Sequence, residues 1–254
     1  MTHADSTSPK LKRHPLRHVA VVGASGGIGQ ALLQHLAHEP SITTLWALSR
    51  TAPKSVPAQA THLPIDITQT STIKTAAEQI KTHGPLDMVI VATGLLHQGP
   101  DLQPEKAIKD LEASNMAQAF AVNATGPALV GQHFLPLLSR DQRGVFACLS
   151  ARVGSISDNQ IGGWYAYRAS KAALNMILKN FAIELRRTHK QAIVTGLQPG
   201  TVDTDLSKPF QSHVPDGKLL KPDVSAAALL ETLDTLAPED SGHLYDWQGQ
   251  RFAP

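Results

Sequence analysis

The sequence predicts a single α/β domain in which a parallel, doubly wound sheet is covered by helices on both faces. Three observations predict it. Short apolar runs of strand length alternate with longer segments of helical spacing, those runs are apolar throughout, and no linker, repeat or low-complexity segment divides the chain. Continuous apolar runs mark strands covered on both sides, and strand–helix alternation implies right-handed crossovers between parallel neighbours. At 254 residues and 42% hydrophobic content, the chain fits one such domain and can bury a substantial core.

The first strand is expected at 19–22, and helical spacing follows over 28–37, with apolar residues at 28, 31, 32, 33 and 36. Strand-length runs come next at 43–48 and 63–65, then a polar amphipathic helix over 71–80 and a buried strand at 87–91. Residues 107–138 hold one or two helices. Further strands are expected at 145–149, 192–197 and 243–245, with helices near 165–187 and 223–236 between them. Residues 1–17 are polar, with Lys10, Lys12, Arg13 and His14 clustered, and read as a flexible tail ahead of a domain spanning 18–254. A secretory signal needs an apolar segment after such charges, and none occurs before Val19. A transit peptide fits less well, given Asp5 and the lack of amphipathic periodicity.

Charge and composition narrow the partners. With 23 basic and 21 acidic residues the net charge is +2, which argues against a nucleic-acid or membrane surface. No apolar stretch approaches the roughly 20 residues of a membrane helix. The lone cysteine, Cys148, forms no internal disulfide or cysteine-based metal cluster and suits a reducing cytoplasm. It lies in an apolar run and reads as a small core residue. The 12 histidines are scattered without metal-ligand spacing, so no metal is expected.

After the first strand comes Gly23-Ala24-Ser25-Gly26-Gly27-Ile28-Gly29, then a helix. Glycines there allow a tight turn, let the backbone approach a pyrophosphate, and let the helix pack against the strand. Free N–H groups at the helix start face the anion, aided by the dipole. Glycines alone are common in loops; the position between strand and helix makes this a nucleotide site in a Rossmann-type sheet. The second strand ends Leu48-Ser49-Arg50 with no acid. A carboxylate would repel a 2′-phosphate, whereas a guanidinium attracts it and binds it in two places, so NADP(H) is favoured over NAD.

Tyr167 and Lys171 stand four apart at the start of a helix, which puts them on one face. An ammonium beside a phenol favours the phenolate, and a phenol so poised can protonate an alkoxide formed during carbonyl reduction. Tyr165 has Ala169 at the partner position and is not the tyrosine of the pair; it lines the substrate mouth with Trp164.

From about Val19 to Trp247 this order of motifs resembles the short-chain dehydrogenase/reductase family. The run Ser150-Ala151-Arg152-Val153-Gly154-Ser155 with Gly162-Gly163-Trp164-Tyr165 is similar to its C-factor and sniffer-type carbonyl reductase branch. The resemblance implies that Asp66 and Ile67 bracket the adenine, though Asp66 reads equally as a residue near a helix N-cap. It implies cofactor contacts from Thr93 and Gly94 in Val91-Ala92-Thr93-Gly94, where relatives carry Asn-Asn-Ala-Gly. It gives Asn123 a part in a water path from Lys171 to solvent. Pro199, Gly200, Val202 and Thr204 match the loop that binds the nicotinamide carboxamide, with a mobile substrate lid over about 205–222.

One departure stands out. Relatives show Ser-Ser-x-x-Gly where this chain has Ser150-Ala151, so alanine falls in the slot of the carbonyl-orienting hydroxyl. Ser155 is favoured as the substitute and Ser150 is the alternate. The function implied is an NADP(H)-dependent oxidoreductase acting between a small carbonyl or alcohol substrate and nicotinamide, assembled as a homodimer or homotetramer through the helices at 107–138 and 165–187. The alternative is an NADP-binding signalling protein of the C-factor type. A sugar epimerase would need a larger C-terminal domain than follows Thr204.

Overall fold

A computed structural model describes residues 14–254. Most of the expected tail therefore lies outside the described residues, and the packed chain begins before 18. Leu16 is already buried, and the Arg17 and His18 amides donate to the Asp87 carboxylate at 2.7 and 2.9 Å.

Eight strands form one sheet: β1 (His18–Val22), β2 (Thr44–Ser49), β3 (Ala60–Pro64), β4 (Met88–Val91), β5 (Gly144–Leu149), β6 (Ala192–Gln198), β9 (Leu244–Asp246) and β10 (Arg251–Phe252). Their order is β10-β9-β6-β5-β4-β1-β2-β3, and every pairing but β9–β10 is parallel. Two short strands, β7 (Thr201–Val202) and β8 (Leu219–Leu220), pair separately. The helices are α1 (Gly27–Ala37), α2 (Thr70–Lys81), α3 (Ala113–Phe120), α4 (Gly126–Phe134), α5 (Tyr165–Leu185) and α6 (Pro222–Thr235).

Alternate strand residues enter two cores. Val22, Leu48, Val91 and Phe146 pack with α2, α4 and α5, whereas Val21, Ala47, Ile90 and Ala147 pack with α1 and α6. That double burial is why the strands read as unbroken apolar runs. Cys148 is buried in the first core, as its surroundings in sequence predict. The order reverses between β4 and β1, and at such a switch point the strand ends open a crevice.

Three expected elements change shape. β3 begins at Ala60 rather than 63, because an edge strand tolerates the polar Thr61 and His62. The stretch 107–138 is α3 and α4 joined by a π-helical turn at Ala121–Thr125. Residues 205–222 contain a 3-10 turn, Lys208–His213, and strand β8.

Candidate active site

The glycine turn caps the crevice. Gly23 takes φ +87°, and its amide and that of Ala24 both donate to the Leu48 carbonyl, at 2.7 and 3.1 Å. A Cβ on Gly29 would stand 2.2 Å from the Gly23 carbonyl oxygen, so the first turn of α1 packs against the Gly23 turn only with a glycine at 29. Ser25 and Gly27 are exposed and Ile28 is half-buried. No side chain caps α1, so its first amides remain available to an anion. A Cβ on Gly27 would meet the Thr204 methyl at 2.6 Å, which brings the loop after β6 over the turn.

Around this turn the other expected contacts fall unevenly. Arg50 is exposed at the end of β2, near enough to Asp66 to help hold its carboxyl below the usual range. The larger causes are local: Asp66 Oδ1 accepts from the Thr68 amide and hydroxyl at 2.9 and 2.7 Å. The Asp66 carboxylate thus braces the turn ahead of α2. The Ile67 side chain packs in the first core and is 7% exposed. Thr93 lies against Gly23, and its hydroxyl is buried with no partner in the protein. Pro199 accepts from the Ser225 hydroxyl at 2.8 Å, Gly200 takes φ +82°, and Val202 is buried.

Tyr167, Lys171, Asn123 and Gly94 come together. A Cβ on Gly94 would lie 3.9 Å from both the Lys171 Nζ and the Asn123 Oδ1. Asn123 is fully buried in the π turn, where its amide accepts from Leu95 N–H and donates to the Leu95 carbonyl, both at 2.8 Å. It also donates to Ser170 Oγ at 3.1 Å, and Ser170 Oγ donates to the Tyr167 carbonyl at 2.9 Å. Asn123 therefore ties the loop after β4 to the first turns of α5. A single-turn π-helix often marks such a site.

Lys171 Nζ donates to the Leu149 carbonyl at 2.8 Å and stands 5.8 Å from the Tyr167 ring centroid. Burial pulls this lysine down to about 8 and pushes the Tyr167 phenol up to about 12. The expected lowering of the phenol by the ammonium is thus overridden, because desolvation outweighs a cation turned toward Leu149. Tyr167 is held as the neutral acid. Burial likewise pushes the Cys148 thiol up to about 12 and leaves it unreactive.

Neither serine presents a free hydroxyl. Ser150 Oγ donates to Asn175 Oδ1 at 2.6 Å. Ser155 Oγ donates to the Pro254 carbonyl at 3.3 Å and accepts from the Asp158 amide at 3.2 Å. The favoured substitute is therefore committed to the chain terminus and the alternate to α5. Trp164, expected at the mouth, meets two residues that carry no sequence motif, Phe210 and, through it, His97: the rings lie 5.1 Å (Trp164–Phe210) and 5.7 Å (His97–Phe210) apart. Trp164 also meets Tyr167 edge-on at 6.3 Å. Glu105 and Ser170 were equally silent, because the contacts that involve them are made only in three dimensions. Among the described residues no His/Cys/Asp/Glu group could hold a metal, and no helix is long and apolar enough to cross a membrane.

Residues 17–215 match the short chain dehydrogenase family. The chain is 40% identical over 144 residues to the C-signal protein of Myxococcus xanthus, covering 56% of this chain and 81% of that one. Among solved structures it resembles the NADPH-bound carbonyl reductase from chicken fatty liver, at 25% identity and TM-score 0.80, over 98% of this chain and 97% of that one. The fold is also that of the carbonyl reductase Sniffer of D. melanogaster, at 20% identity and TM-score 0.81, over 94% and 100%. The chain belongs to the short-chain dehydrogenase family.

Proposed function

We propose that this protein reduces a carbonyl, or oxidises the matching alcohol, with NADP(H), and that Tyr167 transfers the proton. The observation that carries this reading is the convergence of Tyr167, Lys171, Asn123 and Gly94 at the strand ends facing the glycine turn. The turn fits a dinucleotide phosphate: its side-chain-free cradle, the uncapped start of α1 and the unpartnered Thr93 hydroxyl all await one ligand. Gly23, Gly27 and Gly29 would hold the pyrophosphate, Arg50 the 2′-phosphate, and Pro199 to Thr204 the nicotinamide end. When bound, the cofactor supplies or accepts a hydride.

The chain's own groups do the rest. A phenol pushed up to about 12 stays protonated at neutral pH and can deliver its proton to an alkoxide as that charge forms. Lys171, anchored on Leu149, lies beside the ring and stabilises the phenolate left behind. Asn123 fixes the loop that walls the site. Trp164, Phe210 and His97 line the substrate side with aromatic surface, which suits a hydrophobic carbonyl. Since Ser150 and Ser155 are engaged elsewhere, the carbonyl oxygen is oriented chiefly by Tyr167. Exposed Met176 and Ile183 on α5 support assembly of copies through that helix. Retention of the Tyr167–Lys171–Asn123 group favours turnover over a purely regulatory role.

The test is isotopic. NADPH deuterated at the transferring position is incubated with the enzyme and a panel of aldehydes, diketones and quinones. Deuterium at the carbinol carbon of a product is expected. Tight NADPH binding with no transfer to any of them would leave the regulatory reading instead.

A further inference from the structure

The start of α5 is held by groups that the reaction does not use. Gly162, Gly163 and Trp164 follow one another in the left-handed region, with φ 71°, 64° and 51°. Glycines adopt it freely, but for tryptophan it is strained and persists only where the surroundings impose it. Trp164 also precedes the first turn of α5 and offers no side-chain cap, so the amides of that turn need acceptors from elsewhere.

Two residues, Glu105 and Arg168, answer both needs. Glu105, in the loop between β4 and α3, is 3% exposed. Its main-chain carbonyl accepts from the Trp164 amide at 2.6 Å, and its carboxylate Oε2 accepts from the Ala166 amide at 3.1 Å. Its other oxygen, Oε1, is buried without a partner. Burying a carboxylate so incompletely satisfied is costly, and a helix N-terminus is where such a charge is best tolerated. Arg168 Nε donates to the carbonyls of Gly162 and Gly163 at 3.2 and 3.0 Å, and its NH1 donates to that of Val153 at 3.2 Å. The left-handed turn is thus held between the Glu105 main-chain carbonyl and the Arg168 guanidinium, while the Glu105 carboxylate caps the first turn of α5. Tyr167 is the third residue of the helix launched there, so a shift of the turn moves its phenol directly.

We propose that Glu105 is a positioning residue: it caps α5 from a separate loop, holds the left-handed Trp164 turn, and so fixes the Tyr167 phenol against Lys171. This rests on the reading of Tyr167 as proton donor. An acceptor at that reach is what matters, rather than the charge, because the Ala166 amide is served equally by a glutamine carbonyl.

Glu105→Gln, Glu105→Asp and Glu105→Ala are compared for thermal unfolding, NADPH affinity, near-ultraviolet circular dichroism of the Trp164–Tyr167 pair, and kcat and KM with NADPH and 1-phenyl-1,2-propanedione. Glu105→Gln is expected to keep kcat within about threefold, while the shortened Asp and the Ala variant lose about tenfold or more, since small misplacements are expensive in rate. KM and NADPH affinity stay within about twofold in all three, and the near-ultraviolet signal falls only in the last two. An Asp variant matching the wild type while Gln falls would overturn the proposal, as would an Ala variant with unchanged kcat. If the Ala variant does not fold, the Gln–Asp order still decides. Tyr167→Phe in the same assay separates the two ideas. Unchanged turnover there sinks both, whereas lost turnover beside a flat Glu105 series sinks only the role of Glu105.

Discussion

The proposed phosphate end of the crevice is built from backbone, and the proposed reacting end from buried side chains. At the first, Gly23 is shaped by its positive φ and Gly29 by a contact no Cβ could survive, and the start of α1 offers a row of amides without a side-chain cap. At the second, Asn123, Ser150, Ser170, Lys171 and Asn175 are buried and hydrogen-bonded to one another or to nearby carbonyls. The first kind of site tolerates almost no added atom but little depends on distant partners. The second is a network, in which removing one group exposes the cost of its neighbours.

That contrast can be broken most severely at Gly29. Gly29→Ala forces a carbon to 2.2 Å from the Gly23 carbonyl oxygen. Relieving it should reshape the turn and weaken NADPH binding by about 100-fold or more, given overpacking costs of about 1–3 kcal/mol with turn strain added. Fluorescence titration reads it, and an unchanged affinity would remove the turn from the cofactor site.

Lys171→Met probes the reacting end, where stability and function should part. The folded lysine sits at about 8 against an ordinary 10.5, so its native form holds the proton less well. Below pH 8 the buried ammonium destabilises the fold at full strength, at most on the order of 3 kcal/mol. As pH rises from 8 to 10.5 the native state sheds its proton first and that penalty disappears. The variant should therefore melt higher than wild type at pH 7, with the gap closing by pH 10.5, while its turnover is lost. Melting curves across that range check the sign, and a variant less stable at pH 7 would contradict it.

Arg50→Ala is milder. It should weaken NADPH about tenfold while leaving NADH within about twofold, because only the 2′-phosphate contact goes. Equal losses for both would place Arg50 elsewhere. Smallest of all, Ser150→Ala and Ser155→Ala should each leave kcat within about threefold and lower stability by about 1 kcal/mol, the worth of a lost buried hydrogen bond. A hundredfold fall in kcat for either would return the carbonyl-orienting role to that serine.

The same contrast explains what could be read from sequence. Strands buried on both faces announce themselves as apolar runs, and a glycine turn between strand and helix is a local pattern; so is a Tyr and Lys four apart. The serines are not local. Ser155 is claimed by the carbonyl of Pro254, 99 residues away, and Ser150 by Asn175 on α5. Nothing adjacent in sequence to Ala121–Thr125 betrays a π turn, and the bonds its Asn123 makes to both polar groups of Leu95 reach a residue 28 positions away. The phenol's raised pKa was hidden for a similar reason: spacing puts Lys171 on the right face, but only the fold shows how deeply the Tyr167 phenol is desolvated. β10 escaped notice because it is two residues long and antiparallel to its only neighbour.

The most direct test removes one oxygen atom. In Tyr167→Phe, NADPH affinity should stay within about threefold of wild type, while turnover of 1-phenyl-1,2-propanedione falls by about a thousandfold, in the range expected for loss of a general acid. Turnover retained within about tenfold, with NADPH still bound, would contradict Tyr167 as the proton donor and the account built on it.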